Sequence, residues 1–246
     1  MMTFLSRIAG LCTAIALLPL LAHAAVNAEG SHWHAVVVAG DTAQPVFDNA
    51  INAVDQFLVR QGVPQTNIHR FSASAGPQNP TAAPATAAQI LNAIAQLPVQ
   101  PGDRCFVFIT SHGERGEGIW LAYSREMLGP PALAQALARR CAAAPTIVIV
   151  SGCYSGGFTR PPMASPNRII LTAARADRPS FGCQANRVYT VFDACLLRAL
   201  PRAATWHAVF GGTATCVSRR ERELSAVPSV PQSSFGAAIG NMQVRF

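Results

Sequence analysis

The sequence contains no lysine: all 19 of its basic residues are arginine. A P-loop needs a lysine on the nucleotide phosphates, and Schiff-base or pyridoxal chemistry needs a lysine amine, so those mechanisms are excluded. Charge of either sign is sparse, at 13% of residues, whereas 50% are hydrophobic. That balance excludes intrinsic disorder and suits one globular domain with a sizeable core. The net charge of +7 has no basic tract behind it, because the arginines are scattered and the one cluster, at 218–223, is interrupted by acids. Such a distribution reads as a solvated surface, and no nucleic-acid partner is expected. No Cys-x-x-Cys pair occurs among the seven cysteines, which removes thioredoxin chemistry and the usual zinc spacings. His32 and His34 project to one side of a strand, but two imidazoles without a third ligand do not make a metal site.

Long apolar runs are also missing, with one exception at the N-terminus. Arg7 precedes an apolar stretch from Ile8 to Ala22, followed by the small-x-small triplet Ala22-His23-Ala24. This is the layout of a signal peptide over 1–24, and the stretch is short for a bilayer span and carries Pro19. The expectation is an exported protein, periplasmic or secreted, that starts near Ala25 and keeps no stable membrane insertion after cleavage. Disulfides are permitted in such a compartment.

Apolar runs and helical periods alternate along 25–246, which predicts a single α/β domain with a mostly parallel sheet. Residues 34–40 form a continuous β-branched run, a strand buried on both faces. Apolar residues at Phe47, Ala50, Ile51, Val54, Phe57 and Leu58 follow the helical period, and Gly62 with Pro64 ends the helix. A short strand is predicted over 67–72 and helices over 86–98, 131–144 and 188–200. Buried strands are predicted before His112, before Cys153 and from Asn167. The tail beyond Trp206 reads as mixed, with a last strand near 242–246.

A strand–helix–strand crossover leaves its two strands parallel and usually adjacent, about 4.8 Å apart. Residues just past their carboxyl ends then converge where open α/β sheets place active sites. Those residues are His112 and Cys153. Taken alone, His112 is a polar loop residue and Cys153 a small buried filler. Together, each leading into a Gly-rich loop, they make a nucleophile and its base: the imidazole withdraws the thiol proton and returns it to a departing amine. Gly113 and the backbone around Gly152 and Cys153 can offer N–H groups to an oxyanion. A nucleophile elbow is excluded, because Ser151 stands where that motif needs glycine.

Residues 32–41, 108–116, 148–158 and 171–183, in that order, resemble the successive motifs of the legumain-type cysteine peptidases, relatives of the caspases, with weaker support at 231–236. The resemblance implies a caspase-like three-layer sandwich, endopeptidase activity on peptide or protein substrates, and no metal or cofactor. It assigns His112 as base and acid, Cys153 as nucleophile, and the N–H groups of Gly113 and Cys153 as oxyanion hole. It places Asp41 and Ser180 where similar enzymes build their specificity pocket. Two positions depart from the legumains that cut after Asn: Ser151 replaces an acidic residue two before the nucleophile, and no Arg lies between Asp41 and Val59. Asp177 can select a basic substrate residue or pair with Arg175 or Arg178. A catalytically silent relative that binds peptides or partner proteins on the same edge is the alternative function, and transpeptidation is a second outcome of the same chemistry.

Cys12 leaves with the signal peptide, and Cys153 must remain a thiol to act. Five cysteines are left, so at most two disulfides form within the chain. Cys105 opens the strand that ends near His112, and Cys141 closes the helix that feeds the strand of Cys153. Both belong at the edge opposite the site, and they are expected to pair there.

Overall fold

The computed structural model describes Met1 and residues 32–77, 79–184 and 186–246. The expected signal peptide over 1–24 (but for Met1), its cleavage near Ala25 and Cys12 lie outside the described residues. Ser31–Phe246 form one unit.

Its strands are β1 (Trp33–Ala39), β2 (Ile68–Ser72), β3 (Ala83–Pro84), β4 (Arg104–Thr110), β5 (Gly113–Glu114), β6 (Gly118–Leu121), β7 (Glu126–Leu128), β8 (Thr146–Ser151), β9 (Arg168–Thr172) and β10 (Gln232–Phe235). Its helices are α1 (Val46–Arg60), α2 (Ala87–Ala95), α3 (Pro130–Arg140), α4 (Val191–Ala199) and α5 (Trp206–Glu223). Seven strands make the central sheet in the order β10-β9-β8-β4-β1-β2-β3, and β5-β6-β7 make a small second sheet. Every pairing in the large sheet is parallel except that of β10 with β9.

Alternation along the strands divides the core into two layers. Ala35, Val37, Phe106, Phe108, Ile147 and Ile149 face α1, α4 and α5. Val36, Val38, Val107, Val148 and Val150 face α2 and α3. Phe106 and Phe108 are 0% exposed, and burying each contributes roughly 1.5–3 kcal/mol. The result is the expected three-layer caspase-like sandwich. From β1 the chain builds outward to β2 and β3, then returns past β1 to lay down β4, β8 and β9. The strand order therefore reverses between β1 and β4, and the crevice at their carboxyl ends is where such a sheet receives ligands.

Two expectations for the tail are corrected. Residues 206–223, read as mixed, form α5, the longest helix among the described residues, capped by Thr205, whose hydroxyl accepts from the Ala208 N–H at 3.2 Å. Gly211, Gly212 and the β-branched residues weaken its helical appearance, but Trp206, Val209, Thr213, Cys216 and Val217 still share one buried stripe. The last strand is β10, not the segment near 242–246. That segment alternates because Met242, Val244 and Phe246 pack on the core, with Phe246 set 4.7 Å from Trp33 between ring centroids. Its backbone ladders with residues 204–206 rather than with a strand of the sheet: the Trp206 N–H donates to Met242 O and the Val244 N–H to Ala204 O.

Cys105 and Cys141 are disulfide-bonded, with Cα atoms 6.1 Å apart, at the amino end of β4 as expected. A second disulfide, Cys195–Cys216, joins α4 to α5. The first closes a loop of sequence separation 36. Its removal in a Cys105→Ala/Cys141→Ala variant is expected to cost about 2–4 kcal/mol. Urea denaturation monitors this through the midpoint, and an unchanged midpoint contradicts it. Among the described residues no helix is long and apolar enough to cross a membrane.

Candidate active site

The carboxyl ends of β1, β4 and β8 bring the candidate residues together. The parallel ladder runs Ala39↔Thr110 and Thr110↔Ser151, and it continues one bond further, from the Ser111 N–H to Ser151 O at 3.0 Å. His112 and Cys153 are the second residues beyond Thr110 and Ser151, and both line one narrow cleft with Phe47, Ser111, Ser151, Ser180, Phe181, Cys183 and Thr190. The His112 ring stands edge-on to Phe47 of α1, with centroids 5.3 Å apart. That contact fixes the imidazole plane by apolar packing.

Close approach of the two loops explains their glycines. A Cβ on Gly113 would overlap the carbonyl oxygen of Cys153, and a Cβ on Gly152 would lie 2.7 Å from Ile119 Cδ1 and 3.0 Å from Ser111 O. Only residues without side chains let these backbones touch. Directly after the cysteine, Tyr154 adopts a left-handed conformation, φ 57°, and turns the chain sharply into a single turn of 3₁₀ helix over Ser155–Thr159. Its N–H donates to Arg178 O at 2.8 Å, and its ring carries the Arg115 guanidinium 5.2 Å from the centroid.

The Cys153 sulfur accepts the Ser180 N–H at 3.2 Å and lies 3.6 Å from Ser180 O. Ser180 therefore touches the thiol itself. Gly113 pairs with Ile119 across β5 and β6, and the Trp120 N–H donates to His112 O. That pattern makes Gly113↔Ile119 a non-hydrogen-bonded pair, so the ladder leaves the Gly113 N–H unclaimed. Among the described residues the Cys153 N–H donates to no other group either.

The remaining predicted residues separate. Ser151 lies in the floor of the cleft, 2% exposed. Asp41 lies beyond His112, in the wall of a neighbouring cavity of ≈ 440 Å³ that Gly113, Glu114, Glu117 and Trp120 also line. Its carboxylate accepts the Ala43 N–H at 2.6 Å. Asp177 is exposed, lines neither cavity and forms a bidentate pair with Arg175 at 2.5 and 2.9 Å. That pairing holds its carboxyl below the usual range through the Arg175 hydrogen bond.

Five residues of the cleft are not signalled by the sequence: Phe47, Ser111, Phe181, Cys183 and Thr190. Cys183 is a free thiol like Cys153, and burial, reinforced by its closeness to Cys153, pushes it up. The pattern of paired and unpaired cysteines carries no signal for its position. At the opposite edge, His34 Nε2 lies 3.0 Å from Asp103 Oδ2 while the His32 N–H donates to Asp103 Oδ1. Among the described residues no group of three His, Cys, Asp or Glu side chains is placed to hold a metal.

No curated protein matches the chain significantly. The peptidase C13 family model matches residues 86–203, a span that contains both strand ends of the cleft, His112, Cys153 and Ser180. This match over residues 86–203 supports a legumain-like cysteine peptidase family for the segment that carries the cleft.

Proposed function

We propose that the protein is an active cysteine endopeptidase acting through Cys153 and His112. The observation that carries this reading is the shared cleft, where a free thiol and an imidazole face one space beside two unclaimed N–H groups. His112 takes the Cys153 proton, and the thiolate attacks the peptide carbonyl carbon. The oxyanion that forms is held by the N–H groups of Gly113 and Cys153. Collapse of the tetrahedral adduct breaks the C–N bond, and the imidazolium gives its proton to the leaving amine. Water, deprotonated by His112, then attacks the thioester carbon, and the thiol leaves with that proton. Ser180 and Thr190 in the cleft, with Ser151 in its floor, are the proposed substrate contacts beside the sulfur, with Asp41 in the cavity that adjoins His112. Asp177 is engaged by Arg175 outside the clefts, which leaves selection of a basic residue to other groups. The two disulfides suit an oxidising compartment, and a signal-directed periplasmic or secreted location agrees with them.

The test is stoichiometric alkylation. A diverse peptide library is expected to be cleaved, and iodoacetamide is expected to stop cleavage in proportion to label found on Cys153. Peptide binding without cleavage, or full turnover with Cys153 labelled, overturns the reading in favour of a silent peptide-binding relative.

A further inference from the structure

Beneath the cleft lies a carboxyl group that the proposed chemistry does not use. Asp193, in the first turn of α4, is 0% exposed. Its Oδ2 accepts from Thr110 Oγ1 at 2.8 Å. Its backbone N–H donates to Thr190 Oγ1 at 3.0 Å, while Oδ1 is buried without a partner. Thr110 and Ser151 are direct cross-strand partners, the last residues of β4 and β8. They continue the face on which Phe106, Phe108, Ile147 and Ile149 are apolar. Along β4 and β8, hydroxyls replace hydrocarbon on that face at the rung from which His112 and Cys153 follow two residues later.

An apolar trio at these positions would stabilise the fold at least as well, because a buried carboxyl costs desolvation that its hydrogen bonds only partly offset. Stability therefore does not explain the arrangement, whereas directional bonds fix relative position as hydrocarbon contacts do not. We propose that Asp193 is a positioning residue, which, by holding Thr110, locks the final rung of β4 against β8 and so sets how His112 and Cys153 face each other. The proposal rests on the peptidase reading of the cleft for its consequence, but not for the fastening itself. Burial pushes the Asp193 carboxyl upward, while the neighbouring hydroxyls of Ser151, Thr110 and Thr190 act in the lowering direction. Asparagine, of the same shape and with a side-chain oxygen that can accept from Thr110 Oγ1, can take its place.

The experiment compares Asp193→Ala, Asp193→Asn and Thr110→Val. Asp193→Ala and Thr110→Val are expected to lower kcat by about 10- to 100-fold with KM nearly unchanged, the scale for a misplaced reacting group. Asp193→Asn is expected to recover kcat to within about threefold, and the Asp193→Ala/Thr110→Val double variant to be no worse than Asp193→Ala alone. The rate of iodoacetamide labelling at Cys153, read by peptide mapping, is expected to fall in the same order. Wild-type kcat and labelling rate in both Asp193→Ala and Thr110→Val overturn the proposal, as does an asparagine variant as slow as the alanine one. Should Asp193→Ala not fold, Thr110→Val and Asp193→Asn still decide. A wild type that cleaves nothing refutes the peptidase reading instead, and the labelling rates then judge Asp193 by themselves.

Discussion

Cys153→Ala is expected to lower peptide turnover by at least about 10⁴-fold, the loss typical when a covalent nucleophile is removed and only binding and oxyanion contacts remain. The fold is expected to survive. Cys153 is half-buried, and its sulfur is engaged only by Ser180 among the described residues. Replacing it with a methyl group removes one N–H···S contact without exposing core. His112→Ala is expected to fall to the same floor, since a thiol without its base is mostly protonated at neutral pH. The double variant is expected to be no slower than either single one, because two groups acting as a unit cannot be lost twice. Steady-state kinetics on the best library peptide, with thermal melting as the control, measure all three. Turnover within tenfold of wild type in a folded Cys153→Ala protein would remove the cysteine from the mechanism.

The parts legible in the sequence were those where burial on both faces leaves a continuous apolar signature. β1, β4, β8 and β9 are such strands, and their order with intervening helices was sufficient to place His112 and Cys153 on one edge. The small sheet β5-β6-β7 was not legible. Its residues around Gly113, Glu114 and Gly118 look like a polar loop because this sheet is short and half-exposed. It nonetheless builds the site, through the Trp120 N–H to His112 O and Ser111 Oγ donating to Trp120 O at 2.7 Å. Ser180 and Asp41 came from family resemblance, since their contacts cross many residues of chain. Asp193 lies 83 positions from Thr110, so no local pattern links them. Two signals were present all the same: an acid among the apolar residues Val191, Phe192 and Leu196, and strand-end hydroxyls at Thr110 and Ser151 where alternation calls for hydrocarbon. A buried acid in an apolar helix must find partners, and unfilled hydroxyls at a sheet edge are where to seek them.

Gly113→Ala is expected to reduce kcat/KM by about 100-fold or more while the protein still folds. The added Cβ would meet the Cys153 carbonyl oxygen, with the Cys153 carbonyl carbon at 3.2 Å and nitrogen at 3.3 Å. These are backbone atoms and cannot rotate aside, so the loops must separate. Overpacking of this kind typically costs about 1–3 kcal/mol of stability, which a domain with two disulfides and two core layers tolerates. Its larger effect is on geometry. Separation moves the imidazole, the sulfur and both N–H groups of the proposed oxyanion hole apart together, and displacement of about 1 Å suffices for a 100-fold loss. Gly152→Ala is expected to be milder, because the nearest atom it meets is the end of the Ile119 side chain, which can move. Gly157→Ala serves as the control in the same loop, since a Cβ there meets nothing within 4 Å. Near-wild-type kcat/KM for Gly157→Ala beside a deep loss for Gly113→Ala would tie activity to the contact between the two strand-end loops. Equal activity in both variants would mean that the approach of Gly113 to Cys153 is not required for turnover.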